Sequence, residues 1–151
     1  AVPDQIRGSG GINVLPGEEP PEVLAAKVRS FTEAVGADRA RWRDWLDRLR
    51  RAGKKTVLWG GGSKGVAFLT TLDVREGIEY AVDVNPRRSG TFIAGTGQQI
   101  VAPEFLAEYR PDVVIVMSPI YLSEIEAQLD RMSARPQRLV TVEAPEQLAA
   151  A

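Results

Sequence analysis

The residues best suited to bind a ligand lie in one short glycine cluster. Gly60, Gly62 and Gly65 fit the pattern G-x-G-x-x-G. They follow the apolar run Thr56–Trp59, and a helix-like pattern begins at Val66. Such a cluster joins a strand to a helix whose free N–H groups face an anion, often a phosphate. The alternative is a tight strand-to-helix turn that holds no ligand.

Two polar side chains inside the cluster offer further contacts. Lys64 could place a point charge on a diphosphate, and Ser63 could bond a phosphate oxygen or cap the helix. The order Ser-Lys-Gly differs from the Gly-Lys-Ser/Thr of a P-loop, so the sequence does not predict an ATPase. The candidate phosphate-binding residues are therefore Gly60, Gly61, Gly62, Ser63, Lys64 and Gly65.

A second candidate lies at the predicted end of the next strand. Asp83 follows Gly65 by about 18 residues, where dinucleotide-binding folds place the carboxylate that holds ribose hydroxyls. Asn85 and Pro86 would then make the turn. An almost equal alternative is that Asp83 only caps this turn. Arg87 and Arg88 could meet a phosphate, although exposed turn charges are commoner.

A third candidate is the segment Ser118-Pro119-Ile120-Tyr121, at the carboxyl end of a later apolar run. Ser118 or Tyr121 could contact a ligand there. Ser118 could equally be a helix N-cap. For Tyr121 we slightly favour a packed aromatic side chain.

Composition excludes several classes of function. A net charge of −1 argues against a nucleic-acid binder, and no run approaches the roughly 18 apolar residues of a membrane helix. The chain has no Cys and no His, so thiolate chemistry and the commonest general base and metal ligand are absent. Its 151 residues suit one domain. These features predict a chain that binds more than it catalyses, with no metal site.

The chain divides into four predicted parts. Residues 1–20 form an irregular arm with a short strand at 12–14, and residues 21–53 form a helical segment with apolar spacings of three and four. Gly36-Ala37-Asp38 is a candidate break in that segment, with Asp38 as a new N-cap. Residues 54–145 form an α/β domain, and 146–151 form a frayed tail.

The second half of the helical segment combines aromatic and charged side chains. We interpret Trp42 and Trp45 as core or interface residues rather than a ligand cage. The arginines outside this stripe could form a phosphate patch. We favour a solvated face in which they pair with Asp44 and Asp47.

Strands and helices alternate through the α/β domain. The predicted strands are 55–59, Ile78–Val84, Asp112–Met117 and Arg138–Val142, and the predicted helices are 64–72, Glu104–Tyr109 and Ile120–Met132. The glycine-rich stretch 90–97 is predicted as a loop. This alternation predicts a three-layer α/β fold with a mainly parallel sheet of about four to five strands. We expect the strand order two-one-three-four, with sites at the carboxyl ends of the strands.

Several blocks taken together resemble a known family. They are Trp59–Leu69, Val82–Gly90, Ile93–Gly97, Ile100–Glu104 and Pro111–Tyr121. In this order they resemble the C-terminal domain of S-adenosylmethionine-dependent C-methyltransferases, which include enzymes that methylate a carbon of a nucleotide-linked deoxysugar. The resemblance covers roughly residues 10–145.

The resemblance implies a Rossmann-like domain that follows a zinc-binding segment and a central methyl-donor domain. This chain lacks the Cys for the zinc segment and the His that family members are thought to use as a base. It is therefore expected to pack against the methyl-donor domain and bind a nucleotide-sugar or another small molecule, without catalysing alone. S-adenosylmethionine is implied for the full-length cytoplasmic enzyme, with no cofactor assigned to this domain. Gly60–Gly65, Asp83 and Asn85 carry over as motif positions.

Two other functions stay open at this point. The glycine pattern and Asp83 also permit an NAD(P)-binding domain of an oxidoreductase or redox sensor. No Tyr-x-x-x-Lys pair supports hydride transfer, however. The other possibility is an interaction module with a vestigial loop, blocked by a side chain such as Trp59 or Phe68.

Overall fold

The computed structural model describes residues 19–143 and Leu148. The chain divides into two compact units, residues 1–36 and 37–151. The predicted strand at 12–14 and nearly all of the predicted arm and tail lie outside the described residues. Leu148, the described residue of the predicted tail, is buried in the core.

One uninterrupted helix, α1 (Pro21–Arg51), fills the predicted helical segment. The predicted break at Gly36-Ala37-Asp38 is wrong. A glycine inside a helix costs only about 1 kcal/mol relative to alanine, and several alanines around it favour the helix. Asp38 caps no new helix and instead pairs with Arg41 on the same helix.

Five strands form one sheet in the described part of the chain, and all are parallel. Their order is β3-β2-β1-β4-β5. The strands are β1 (Thr56–Trp59), β2 (Ile78–Val82), β3 (Gln99–Val101), β4 (Val113–Val116) and β5 (Arg138–Thr141).

The predicted order of four strands is confirmed as β2-β1-β4-β5. The edge strand β3 was missed because it has only three residues and follows a glycine-rich loop. Strand β2 ends at Val82, two residues before its predicted end, so that Asp83 and Val84 begin the next turn.

Between residues 56 and 141, three further helices connect the strands. They are α2 (Ser63–Leu72), α3 (Leu106–Tyr109) and α4 (Leu122–Arg131). A 3₁₀ turn precedes α3 at Pro103–Phe105 and α4 at Pro119–Tyr121. Each turn begins with proline. Proline suits a first helical position because the N–H that it lacks would have no partner inside the helix there.

Two buried clusters lie on opposite faces of the sheet. Leu58 and Ile115 pack in one with Trp45 of α1 and Leu69 of α2. Neighbouring strand residues point the other way into a cluster with Leu106 of α3 and with Ile125 and Leu129 of α4. Because successive side chains of a strand alternate between faces, the sheet is covered on both sides. The predicted three-layer α/β fold is confirmed.

The aromatic and charged residues of α1 have separate roles in the 37–151 unit. Trp42 and Trp45 are buried, with ring centroids 5.5 Å apart in an edge-on arrangement. Arg48 pairs with Asp44 at 3.0 Å, and Arg50 lies 3.5 Å from Asp47. The interpretation as core aromatics beside a solvated, paired face is confirmed.

Candidate functional site

The glycine cluster is a tight turn between β1 and α2. Gly60 has φ +124°, a conformation that favours glycine, and its N–H donates to the Val82 carbonyl oxygen at 2.8 Å. Gly62 is the N-cap of α2, and within the described residues no side chain caps it. The first N–H groups of a helix have no partner inside the helix. The turn therefore presents backbone donors at the carboxyl edge of the sheet.

Ser63 and Lys64 lie in the first turn of α2, and their phosphate-binding roles stay predictions. Ser63 is the first helical residue rather than the cap, and it is exposed. Lys64 is also exposed, and its Nζ lies 3.8 Å from Glu143 Oε1. Gly65 is buried beneath the turn, where it allows close packing.

Asp83 and Asn85 build the turn that follows β2. The Asn85 N–H donates to Asp83 Oδ1 at 2.9 Å, and the Arg87 N–H donates to Asn85 Oδ1 at 3.1 Å. The Asp83 side chain is 14% exposed. Asp83 therefore caps this turn, as one of the two alternatives from the sequence predicted. Its second carboxylate oxygen faces the glycine loop.

Arg88 connects this turn to the glycine loop. Its Nη1 donates to the Gly61 carbonyl oxygen at 3.0 Å and lies 3.4 Å from Asp83 Oδ2. A Cβ added to Gly61 would lie 3.2 Å from the same Asp83 oxygen, so the loop and the carboxylate are closely packed. Arg88 is thus an exposed charge of the turn, the commoner of the two alternatives considered for it, and it also contacts the glycine loop.

A cleft of about 440 Å³ opens at the carboxyl ends of β1, β2 and β4. Gly60, Asp83, Ser118 and Tyr121 all line it, together with side chains of α4. The structure thus brings together predicted residues that are far apart in the sequence. The other candidate residues are not part of the lining: Gly61, Gly62, Ser63, Lys64, Gly65 and Asn85.

Ser118 and Tyr121 reach the cleft in different ways. Ser118 is the N-cap of the 3₁₀ turn Pro119–Tyr121, although it makes no capping hydrogen bond through its side chain to the described residues. Tyr121 is 53% exposed at the cleft. The favoured interpretation of Tyr121 as a packed aromatic is therefore wrong, because the 3₁₀ turn leaves its ring outside the core.

Sequence reasoning missed the contribution of α4. Glu124, Ile125 and Gln128 line the cleft from this helix. Gln128 lies four residues after Glu124 and three after Ile125, spacings that place each pair on one side of the helix, but spacing alone does not indicate that this side faces the cleft. Trp59, the last residue of β1, is 6% exposed and completes the wall. Phe68 instead packs against Trp42 in the core, with centroids 5.0 Å apart.

The described residues also bear on metal binding and on membrane spanning. No group of three or more His, Cys, Asp or Glu side chains there could hold a metal ion. None of the helices in that part of the chain has the length and apolar character needed to cross a membrane.

The parallel sheet covered on both faces, with a glycine loop at the carboxyl end of β1, defines a Rossmann-like α/β domain. The family model of the C-methyltransferase C-terminal domain matches residues 18–142. The chain therefore belongs to this family, and the resemblance found in the sequence is confirmed.

Among solved structures, the chain is similar to a crystal structure of RSP, a Rex-family repressor. The identity is 18% and the TM-score 0.44, and the match covers 64% of this chain and 56% of that chain. The match thus spans little more than half of the repressor chain. A search of curated proteins gave no match.

Proposed function

We propose that this domain binds the substrate of a C-methyltransferase, a nucleotide-linked sugar, and packs against the methyl-donor domain of the same enzyme. The observation that carries the proposal is the cleft at the carboxyl ends of β1, β2 and β4, lined by Asp83, Glu124 and Gln128. Carboxylate and amide groups are suited to the hydroxyl groups of a sugar, since both accept hydrogen bonds and the amide also donates them.

The position of the cleft also supports a ligand role. In parallel α/β sheets, ligands bind outside the carboxyl ends of the strands where the strand order reverses. Here β1 is followed in the chain by β2 on one side, and β4 lies on its other side. Trp59, Gly60 and Ser118 line the cleft at this reversal.

The proposed partner surface surrounds the cleft. Val84 and Tyr121 line it and are 68% and 53% exposed, and the adjacent Ile120 is 84% exposed. Exposed apolar side chains concentrated beside a cleft are typical of an interface. We assign this rim to the methyl-donor domain, which would then close over the bound sugar. Because the chain has no His, the commonest general base, we assign the proton transfers of the reaction to that other domain.

We place S-adenosylmethionine outside this domain. Asp83, the residue best placed for ribose hydroxyls, already contacts the Arg88 guanidinium at 3.4 Å. S-adenosylmethionine carries a positive sulfur and no phosphate with which to compensate a displaced guanidinium. A nucleotide-sugar has a diphosphate and fits this charge arrangement better. Cytoplasmic localisation stays a prediction.

Calorimetric titration of the full chain with a thymidine-diphosphate sugar tests the proposal, with NADH and S-adenosylmethionine as comparison ligands. We expect binding of the nucleotide-sugar and a loss of at least roughly tenfold in Asp83→Asn, which keeps the turn acceptor but removes the charge. Asp73→Asn is the matched control, because Asp73 lies at the exposed C-terminal end of α2.

Absence of heat at millimolar nucleotide-sugar, with the protein folded, would leave only a structural role. Preferential binding of NADH would favour the oxidoreductase alternative. Tight binding of S-adenosylmethionine would contradict the placement of the methyl donor elsewhere.

A further inference from the structure

Arg88 contacts both the glycine loop and a residue that lines the candidate cleft. Its Nη1 contacts the Gly61 carbonyl oxygen at 3.0 Å and Asp83 Oδ2 at 3.4 Å. The same nitrogen lies 3.5 Å from the point where a Cβ on Gly62 would stand. The guanidinium therefore lies against the loop that presents the backbone N–H groups of α2.

Arg88 holds Asp83 less tightly than it holds the Gly61 carbonyl group. Its side chain is 44% exposed, and its distance to the carboxylate is long for a charged hydrogen bond. A phosphate binds a guanidinium through two parallel N–H···O bonds and is therefore a better partner than these two acceptors.

The charge of the cleft requires such a cation if the ligand is anionic. Asp83 and Glu124 give the described lining two carboxylates, and no Lys or Arg is part of it. Lys64 is directed to Glu143, 3.8 Å away. Arg88, already in contact with Asp83, is the cation placed to offset this negative charge.

We propose that Arg88 selects phosphate-bearing ligands by exchanging partners. In the free domain its guanidinium contacts Asp83 and the Gly61 carbonyl group. When a ligand binds, the guanidinium moves to a phosphate, and Asp83 Oδ2 becomes free to accept a hydrogen bond from a sugar hydroxyl. The inference rests on the proposed function, because it requires a ligand in the cleft beside Asp83. The phosphate can belong to a nucleoside diphosphate or to a simple sugar phosphate.

The test compares ligands that differ in phosphate, titrated into the full chain. The probes are thymidine, thymidine diphosphate and a hexose 1-phosphate. In Arg88→Gln we expect thymidine diphosphate to bind roughly 10- to 100-fold more weakly, as for a lost charged hydrogen bond. Thymidine should bind equally well or more tightly, because Asp83 is released. A parallel loss for the hexose phosphate would identify the phosphate, rather than the nucleoside, as the shared determinant.

Arg87→Gln is the matched control. It removes the same charge one residue away, and Arg87 takes part in the turn through its backbone N–H, which the substitution keeps. Arg87→Gln should leave the ratio of the affinities for thymidine and thymidine diphosphate unchanged. Arg88→Lys, which keeps the charge but loses the paired donors, should fall between wild type and Arg88→Gln.

Two outcomes would overturn the inference. Equal weakening of thymidine and thymidine diphosphate in Arg88→Gln would make Arg88 a structural brace, and no weakening of either would remove it from the site. Asp83→Asn separates these failures from failure of the proposed function, since it should weaken both ligands. If wild type binds none of the probes, the proposed function and this inference fail together. Melting temperatures establish that each variant is folded. If Arg88→Gln is not folded, the affinities of Arg88→Lys for thymidine and thymidine diphosphate are compared instead.

Discussion

Gly65 lies directly beneath the carbonyl oxygen of Gly60, so that the two ends of the glycine loop touch through backbone atoms. A Cβ added to Gly65 would overlap that oxygen and lie 2.9 Å from Leu58 Cδ2. Since the oxygen belongs to the backbone, it cannot rotate away as a side chain would. The spacing of these two glycines is therefore a packing requirement of the β1–α2 turn, whether or not a ligand binds there.

Replacing Gly65 by alanine should destabilise the fold. We expect the free energy of unfolding to fall by about 1–3 kcal/mol, the usual cost of overpacking a tight site. Urea unfolding followed by tryptophan fluorescence measures the change.

Gly36→Ala is the control for Gly65→Ala. Gly36 lies inside α1, and among the described residues nothing comes within 4 Å of an added Cβ. This variant should gain about 0.5–1 kcal/mol from improved helix propensity. Equal effects of the two substitutions would contradict the close packing of the loop.

The Trp42 ring should be a main source of stability of the 37–151 unit. It is 5% exposed and packs edge-on against Trp45 and Phe68. Trp42→Ala should therefore lower the free energy of unfolding by about 3–5 kcal/mol. Phe31→Ala, on the same helix but at a residue 70% exposed, should change it by less than about 0.5 kcal/mol. Thermal and urea unfolding measure the stability of both variants. Equal losses in Trp42→Ala and Phe31→Ala would contradict the prediction.

The parts of the fold that the sequence predicted are those with strong local patterns. The run of β4 is apolar at every position, that of β1 is apolar except for Thr56, and both strands are buried throughout, as expected for strands covered on both faces. Strand β3 has no such run, and its pairing with β2 depends on residues distant in the sequence. The uninterrupted helix through Gly36 likewise reflects the sum of many favourable neighbours rather than one residue.

The candidate site was predictable only in part for a related reason. Gly60 and Asp83 follow strands, so their meeting at one edge of the sheet follows from the parallel topology. The contribution of Glu124 depends on the rotation of α4 about its axis, and the contact of Arg88 with Gly61 depends on the path of a loop. Neither is determined by the spacing of residues in the sequence.

Stability should fall at alkaline pH because of Tyr109. Burial of this phenol, with the Glu79 carboxylate nearby, raises its pKa from 10.0 to about 12. Between these values the unfolded chain releases the proton while the folded chain retains it. The unfolded state then binds fewer protons, so the free energy of unfolding decreases as the pH rises. The stability linked to the protonated Tyr109 phenol is fully present below about pH 10 and is lost as the pH rises through about 12.

Urea unfolding of wild type and Tyr109→Phe at about pH 9 and about pH 11 measures this effect. The two proteins share all other titrating side chains, so the difference between their pH slopes isolates Tyr109. Wild type should lose more stability than the variant over this interval. Identical slopes would show that the phenol titrates alike in the folded and unfolded chains.

Lys64 and Glu143 form a pair whose two members should have opposite effects on an anionic ligand. Lys64 lies in the first turn of α2, where the helix dipole disfavours a cation unless an anion is near. In the free domain that anion is Glu143, at 3.8 Å, and both side chains are more than half exposed. Lys64→Ala should weaken binding of thymidine diphosphate by about 1–3 kcal/mol, if the ligand replaces Glu143 as its partner.

Glu143→Gln should strengthen binding of the same ligand, because it removes the competing carboxylate. Since an exposed pair contributes little to stability, both variants should melt close to wild type. Unchanged affinity in Lys64→Ala would remove Lys64 from the site and leave Arg88 as the proposed phosphate contact.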